Sequence, residues 1–382
     1  MNTFGKTETM TSRERVRKAI NHEPVDRMPI DLGSHYSTGI SAFAYWNLRE
    51  YLGLSTERID IVDMVQFLAR VDEDILKLFH SDCMLLHPGW TSTKRWNPRG
   101  KYQFTIPASA SPILDDQGQW IVERDGRMRM PKDGFFFDGK WLEFHDRSED
   151  EVVKATAIEA ERIFKDSDYY TMYIGFVAYF YEHPDWLCQM MLEPEEILRA
   201  NSIKLESEIN LAEKVIKSMG KHIQAVCINS DLGTQSAPFC NPAVYEELVA
   251  PFVKKFCTFI HENSDLKVFM HSCGSIKPFM PILIDCGVDI FNPVQISAAN
   301  MNPIDLKKEF GQKVTFWGGG CDTQNILGQG SLKDIEENVR YLTNIFKKDS
   351  GFVFNQVHNI MGNVPPENII KMFETAYDES FY

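Results

Sequence analysis

The 382-residue chain lacks long apolar runs and an excess of positive charge. No apolar run reaches the roughly 18 residues that a membrane-spanning helix needs. Lysine and arginine number 40 against 54 acidic residues, and the net charge of -14 argues against nucleic acid or anionic lipid as the main partner. The first six residues carry no apolar secretory segment, and eight scattered cysteines do not form a disulfide framework. We therefore expect a cytoplasmic protein with reduced thiols.

The composition is that of an ordinary globular protein, with 43% hydrophobic and 25% charged residues, which excludes a disordered or fibrous chain. Eight short and mostly apolar runs predict strands that are covered on both faces. These runs are Met28–Leu32, Cys83–His87, Tyr173–Phe176, Gln224–Ile228, Lys267–Met270, Asp289–Phe291, Val314–Trp317 and Phe352–Asn355. Amphipathic stretches predict helices over Glu151–Phe164, Glu195–Met219, Asn241–Asn263, Ser331–Lys347 and Pro366–Tyr377.

Eight strands that alternate with helices predict an α/β fold, a (β/α)8 TIM barrel, with residues 1–382 as a single domain. A doubly wound sheet is the alternative, but no Gly-rich phosphate motif follows an early strand. The alternation is interrupted by Asp-Gly pairs such as Asp125-Gly126, which separate short apolar runs. We therefore predict a β-hairpin insertion over residues 95–148, after the second strand.

Candidate reactive side chains follow the fifth, seventh and eighth predicted strands, and in a barrel such groups gather at one mouth. His271 and Cys273 follow the fifth strand, Cys321 the seventh and His358 the eighth. One imidazole and two thiolates are a ligand set that suits zinc. We predict that His271, Cys273 and Cys321 bind Zn²⁺. His358 is either a fourth ligand or a group that orients the substrate.

A zinc ion with three protein ligands keeps a position open, where it can act as a Lewis acid on a substrate heteroatom. A methyl group attached to that heteroatom would become more electrophilic. The alternative interpretation is that Cys273 and Cys321 are small buried hydrophobic residues and His271 is a hydrogen-bonded core residue.

Polar and aromatic residues at the other strand ends supply candidate substrate contacts. Asp231 could bind substrate, orient a metal-bound histidine or accept a proton, and its alternative is a helix cap in a solvated loop. Aromatic side chains at the mouth would supply flat walls for an aromatic or macrocyclic ligand, or would only pack the rim. The predicted substrate-binding residues are His35, Tyr36, Tyr179, Tyr181, Gln235, Asn292 and Trp317.

Several motifs together resemble the uroporphyrinogen decarboxylase superfamily, from about residue 11 to residue 378. The resemblance implies a (β/α)8 barrel. The motifs are Thr11-Ser12-Arg13-Glu14-Arg15-Val16, Glu23-Pro24-Val25-Asp26-Arg27-Met28-Pro29-Ile30-Asp31, His271-Ser272-Cys273-Gly274-Ser275, Gly318-Gly319-Gly320-Cys321-Asp322-Thr323-Gln324, Val357-His358-Asn359-Ile360 and Val364-Pro365-Pro366-Glu367-Asn368-Ile369.

The superfamily holds two chemistries, and the motifs favour one of them. Decarboxylases carry an arginine-rich loop after the first strand and an aspartate after the second, and residues 33–36 and 86–89 contain neither. In the cobamide-dependent methyltransferases, zinc bound through His-x-Cys and a further cysteine assists methyl transfer to or from a corrinoid. His271 and Cys273 match that motif. Coenzyme M methyltransferases have the further cysteine where this chain has His358, so coenzyme M is not the expected substrate.

The arrangement looks more like the barrel methyltransferases that start demethylation of methoxylated aromatics. The resemblance implies that the methyl group passes to a corrinoid (cobalamin) on a separate partner protein, and it is compatible with a homodimer. Asp231 and His358 would orient the substrate or handle the leaving-group proton. Two alternatives stay open: a tetrapyrrole decarboxylase and a non-catalytic zinc- or thiol-binding barrel.

Overall fold

The computed structural model describes residues 7–177 and 179–382, so the first six residues, on which the expected lack of a secretory segment rests, lie outside the described ranges. The strands are β1 (Ile59–Asp63), β2 (Leu68–Ala69), β3 (Thr93–Trp96), β4 (Phe104–Pro107), β5 (Ile113–Leu114), β6 (Gln119–Glu123), β7 (Arg127–Pro131), β8 (Asp138–Gly139), β9 (Met172–Val177), β10 (Ala225–Asn229), β11 (Lys267–His271), β12 (Ile290–Asn292), β13 (Thr315–Trp317) and β14 (Phe352–Val353). The helices are α1 (Ser12–Ile20), α2 (Ala42–Tyr51), α3 (Glu73–Leu78), α4 (Glu149–Asp166), α5 (Pro184–Leu192), α6 (Pro194–Met219), α7 (Pro242–Leu248), α8 (Ala250–Asn263), α9 (Met280–Cys286), α10 (Pro303–Phe310), α11 (Leu332–Phe346) and α12 (Pro366–Ser380).

A parallel sheet of six strands forms the centre of the fold, in the order β14-β13-β12-β11-β10-β9. These are the third to eighth predicted strands, and their ends differ from the prediction by at most two residues. Both faces of the sheet are apolar: on β11, Phe269 belongs to one hydrophobic cluster and Met270 to another. Burial on both faces explains why the strands read as continuous apolar runs.

The first two predicted strands are isolated bridges instead of extended strands. Ile30 bridges Phe354 and Cys83 bridges Tyr170, each in parallel orientation. Pro29 has no amide hydrogen, which removes a donor from the middle of the first run. The apolar character of these two runs therefore predicted longer strands than the structure forms.

The segment between the second bridge and α4 contains antiparallel strands. β5 to β8 form a sheet in chain order, and Arg124-Asp125-Gly126 connects β6 to β7. A second sheet has the order β2-β1-β4-β3, in which β3 and β4 are antiparallel while β1 and β4 are parallel. Asp125-Gly126 thus turns the chain between two paired strands, whereas Asp138-Gly139, another predicted turn, forms the short strand β8.

The helix predicted from Asn241 to Asn263 is divided at Val249 into α7 and α8. Pro251 stands in the first turn of α8, where its missing amide hydrogen is tolerated. Inside one continuous helix, proline would leave a backbone carbonyl of the preceding turn without its hydrogen bond. Within the described ranges, no helix combines the length and the apolar character needed to cross a lipid bilayer.

A buried ion-pair network joins α1 to the segment that precedes the second bridge. Asp82 accepts hydrogen bonds from Arg15 at 2.6 Å and from Arg27 at 2.7 Å. All three side chains are at most 2% exposed. Such charges are tolerated in the interior only because each is paired.

Candidate metal centre

Three polar residues end neighbouring strands at the same level of the parallel sheet. The register pairs Asn229 of β10 with His271 of β11, and His271 with Asn292 of β12. Loops follow directly after these residues. The carboxyl ends of parallel strands are where α/β proteins place their ligands, so this edge is the natural position for a site.

His271, Cys273 and His358 form a compact group at this edge. Their nearest ligand atoms all lie within 4.8 Å of one another, and all three residues are half-buried. His271 Nε2 is 3.7 Å from Cys273 Sγ, and the rings of His271 and His358 are 5.8 Å apart between centroids. The structure thus joins two of the predicted ligands to the histidine whose role the sequence left open.

Close backbone contact holds the loop that carries Cys273. Gly274 has a φ of 92°, and a Cβ at this position would lie 2.0 Å from the carbonyl oxygen of Gly233. The amide of Cys273 donates to Asp231 Oδ1 at 2.8 Å, and the amide of Gly274 donates to Gln295 Oε1 at 2.7 Å. Only glycine allows this approach, which fixes the thiol relative to the His271 ring.

Asp231 stands beside the group and also faces solvent. Its Oδ1 is 3.7 Å from His271 Nε2, and its side chain is 39% exposed. Oδ1 accepts the Cys273 amide, and the exposed part of the carboxylate can still accept a hydrogen bond from a bound molecule.

The pKa shifts in the group keep its His358 imidazole and its Cys273 thiol uncharged. Burial, followed by the charge of His271, lowers the pKa of His358 to about 4, so the ring is neutral at neutral pH and keeps a lone pair for a metal. Burial and the Asp231 carboxylate raise the pKa of the Cys273 thiol well above its ordinary value. A metal that binds here must therefore displace the thiol proton.

The donor set and its spacing fit zinc. Tetrahedral zinc with bonds of about 2.0 to 2.3 Å places nitrogen and sulfur ligands roughly 3.5 Å apart. The distance between His271 Nε2 and Cys273 Sγ is 3.7 Å. Two imidazoles and one thiol are borderline-soft donors, which zinc prefers over the oxygen ligands that magnesium and calcium select.

The structure does not bring Cys321, the predicted third ligand, to this group. Cys321 is fully buried, and its side chain belongs to the main hydrophobic cluster. Burial, followed by the charge of Asp322, raises the pKa of its thiol, as burial and Asp231 do for Cys273, so the position of Cys321 in the core and not its pKa separates the two cysteines. For this cysteine the alternative interpretation, a small buried hydrophobic residue, describes the structure.

Three of the predicted substrate-binding residues are buried in the interior of the structure. Trp317 is fully buried between the rings of Phe269 and Tyr170, and its indole donates to Asp31. Tyr179, 1% exposed, packs near Phe252 in the main core. The third residue, Asn292, is also fully buried.

The other four predicted substrate contacts occupy different environments. His35 is 3% exposed and lies 5.4 Å from the His271 ring, while Tyr36 beside it is half-buried. Tyr181 is 37% exposed and packs edge-on against Trp186. Gln235 is exposed and donates to the carbonyl of Ser297 at 2.6 Å. The predicted substrate-binding residues thus do not form one continuous surface. Tyr36, Tyr181 and Gln235 are the ones that are partly exposed.

Sequence reasoning missed two polar residues beneath the group. Ser37 donates to Asn292 Oδ1 at 2.5 Å, and Cys227 Sγ lies 3.2 Å from His35 Nε2. Both are buried. Ser37 is close in sequence to His35, but no spacing indicates a partner 255 residues away.

Comparison with known proteins gives a family and a fold. The profile of the uroporphyrinogen decarboxylase (URO-D) family matches residues 175–378, just over half of the chain, and this range contains His271, Cys273 and His358. No curated protein matches the chain significantly.

Among solved structures, a methyltransferase from Methanosarcina mazei has a TM-score of 0.59 and 14% identity, over 97% of this chain and 99% of that chain. At this identity the likeness shows a shared α/β fold alone. A glycoside hydrolase family 5 enzyme from Prevotella bryantii B14 has a TM-score of 0.37 and 9% identity, over 60% of this chain and 78% of that chain, which supports no argument.

Proposed function

The chain belongs to the uroporphyrinogen decarboxylase family, and from this premise we propose that it is a zinc-dependent methyltransferase. It would move a methyl group from a methylated substrate, such as a methoxylated aromatic, to the cobalt of a corrinoid on a partner protein. The observation that carries the proposal is the group of His271, Cys273 and His358 at the carboxyl edge of the sheet. The fold shared with the Methanosarcina mazei methyltransferase supports the same branch of the family.

We further propose that the sheet closes as a (β/α)8 barrel within a single domain. Hydrogen bonds that continue from both sheet edges support closure: the Asp31 amide donates to Phe354, and the Met84 amide donates to Tyr170. A third bond joins the two short runs, because the Asp82 amide donates to Ile30. In this arrangement residues 95–148, with the antiparallel strands β5 to β8, form an insertion after the second run.

In this proposal His271, Cys273 and His358 hold the zinc ion, and Cys321 does not. Zinc in such a site supplies Lewis acidity toward the oxygen, nitrogen or sulfur that carries the methyl group. The neutral imidazole of His358 and the anchored thiol of Cys273 offer lone pairs to one point without rearrangement of the backbone. Preorganised ligands of this kind reduce the cost of binding.

Asp231 has a separate role at the edge of the group. Its Oδ1 accepts from the Cys273 amide and its side chain is 39% exposed, so we place the contact with substrate on the other oxygen, Oδ2. We assign to this oxygen the binding of substrate or the handling of the proton that a demethylated hydroxyl or thiol must acquire. Tyr36, Tyr181 and Gln235 remain candidates for contact with the rest of the substrate.

Tetrapyrrole decarboxylation receives less support from the described residues. Arg27 is 2% exposed and engaged by Asp82, so it cannot bind a substrate carboxylate at the mouth. The side chain of Arg70 is 30% exposed and lies 3.6 Å from Glu159, which partly neutralises it.

The experiment measures zinc content and methyl transfer in the same preparation. We expect about one zinc per chain in protein purified without a metal-affinity tag. In the presence of a methoxyarene panel, cob(I)alamin or a native corrinoid protein should be methylated, as followed by absorption. His271→Ala should lose both zinc and transfer, while the matched variant His261→Ala should keep both, because His261 pairs with Asp289 away from the group.

Two outcomes would overturn the proposal. Protein that binds no zinc even after reconstitution would refute the metal centre. Protein that holds zinc but methylates neither cobalamin nor a corrinoid protein would refute methyl transfer and favour a non-catalytic metal-binding protein.

A further inference from the structure

Asn292 is a fully buried polar residue with three polar contacts, one of them to a proposed metal ligand. It ends β12 directly opposite His271 in the strand register. Its Nδ2 donates to the backbone carbonyl of Trp317 at 3.0 Å. Its Oδ1 lies 2.8 Å from His271 Nδ1 and 2.5 Å from Ser37 Oγ.

The Trp317 carbonyl determines which way the Asn292 amide faces. A carbonyl oxygen can only accept a hydrogen bond, so the NH₂ group of Asn292 must point toward it. The reversed amide would set two oxygens against each other at this contact. Asn292 Oδ1 is therefore the atom that faces His271 and Ser37.

An amide oxygen only accepts, so both neighbours of Asn292 Oδ1 must donate. Ser37 supplies its hydroxyl hydrogen, and His271 supplies the hydrogen on Nδ1. A neutral histidine carries one ring hydrogen. In the neutral form that a metal requires, Nε2 of His271 is therefore the nitrogen that keeps its lone pair, and this is the atom 3.7 Å from Cys273 Sγ.

We infer that Asn292 is a positioning residue that selects the tautomer of His271 and presents Nε2 to the metal, with Ser37 orienting the Asn292 amide oxygen. The inference rests on the proposed metal centre and extends it to residues that touch neither metal nor substrate. It also replaces the predicted contact of Asn292 with substrate. Partners of this kind typically change metal affinity by about 10- to 100-fold when they are removed.

The test compares two substitutions of similar shape. Asn292→Leu removes the acceptor, whereas Asn292→Asp keeps an oxygen that can accept from His271 Nδ1. Zinc affinity is measured by competition with a chelator, and the bound geometry is followed by the absorption of Co²⁺ substituted for zinc. We expect about 10- to 100-fold weaker zinc binding by Asn292→Leu, with an altered Co²⁺ spectrum. Asn292→Asp should bind closer to wild type, even where it unfolds more easily.

A matched variant separates positioning from general destabilisation. Asn201 is also buried and donates to a backbone carbonyl, that of Leu248, at 3.2 Å. Asn201→Leu should lower the midpoint of thermal unfolding and leave zinc affinity unchanged. Ser37→Ala should weaken zinc binding less than Asn292→Leu, because it removes only one hydrogen bond of the amide oxygen.

The outcomes distinguish this inference from the proposed function. A wild-type protein that binds neither zinc nor Co²⁺ would refute the metal centre itself. If the wild type binds metal, an Asn292→Leu variant of equal affinity would overturn the inference alone. Equal loss in Asn292→Leu and Asn292→Asp would also overturn it. Should Asn292→Leu fail to fold, an unchanged affinity in Ser37→Ala would decide against the inference.

Discussion

Two cysteine variants should separate ligation from packing. Cys273→Ser replaces the thiol that lies 3.7 Å from His271 Nε2, so it removes one of three soft ligands. We expect zinc to fall from about one per chain toward none, because an uncharged hydroxyl replaces a thiolate ligand. Cys321→Ser should keep its zinc, because the Cys321 side chain is fully buried in the main hydrophobic cluster.

The expected loss of stability in Cys321→Ser follows from the buried, apolar surroundings of this side chain. A hydroxyl without a hydrogen-bond partner in a buried position costs about 1 to 3 kcal/mol of unfolding free energy. Cys257→Ser is the matched control, since Cys257 is equally buried, on α8. Both core variants should therefore unfold at lower urea concentration than wild type, while elemental analysis finds their zinc unchanged.

The opposite pattern would refute the assignment of ligands. If Cys321→Ser lost zinc and Cys273→Ser kept it, the ligand set taken from the structure would be wrong. If both variants lost zinc while Cys257→Ser kept it, both thiols would be ligands, as the sequence analysis predicted.

Three further predictions concern the loop, the core and the response to acid. Gly274→Ala should weaken zinc binding and lower the free energy of unfolding by more than about 1 kcal/mol, because the added Cβ would lie 2.0 Å from the Gly233 carbonyl oxygen. Asp82→Asn should lower the free energy of unfolding in urea by about 1.5 to 3 kcal/mol, since it removes the carboxylate that Arg15 and Arg27 share but leaves Arg15 its pair with Asp26 and Arg27 its pair with Glu8. Burial, followed by the positive charge of Arg70, lowers the pKa of His87 well below 6.5, so the unfolded chain binds a proton that the native chain does not. The free energy of unfolding should therefore fall as the pH decreases below about 6.5. His87→Asn should reduce the slope of this free energy against pH by at most about 1.4 kcal/mol per pH unit.

Controls for these variants come from the same chain. Gly53 also has a positive φ, 69°, but nothing lies within 4 Å of a Cβ built there, so Gly53→Ala should leave zinc binding intact. Asp60 pairs with Arg58 at the surface, and Asp60→Asn should cost less than about 1 kcal/mol. A Gly53→Ala variant as zinc-poor as Gly274→Ala, or an Asp60→Asn variant as unstable as Asp82→Asn, would contradict the reasoning. For acid stability, the reasoning would be contradicted if the unfolding free energy of His87→Asn changed with pH as steeply as that of wild type.

The sequence by itself determined the six central strands and two of the three grouped side chains. A parallel strand buried on both faces is a local feature, because nearly every residue in it must be apolar. β9 to β14 could therefore be read directly from short apolar runs. The positions of His271 and Cys273 followed from the same reasoning, since they stand where the fifth run ends.

Only the tertiary structure decided which residue joins them. Cys321 and His358 both follow a strand near His271, and their residue types suit zinc equally well. The chain between β13 and Cys321 turns through Gly318 and Gly319, whose φ values are 104° and 80°. After that turn the Cys321 side chain lies in the core, while His358 lies with His271.

The same physical reason applies to Trp317 and Asn292. The direction of a side chain at the end of a strand depends on the pleat of that strand and on the backbone angles of the next residues, neither of which its spacing in the sequence reports. His271 and His358 are separated by 87 positions. Whether such distant groups meet is settled by contacts formed only when the sheet and its loops have packed.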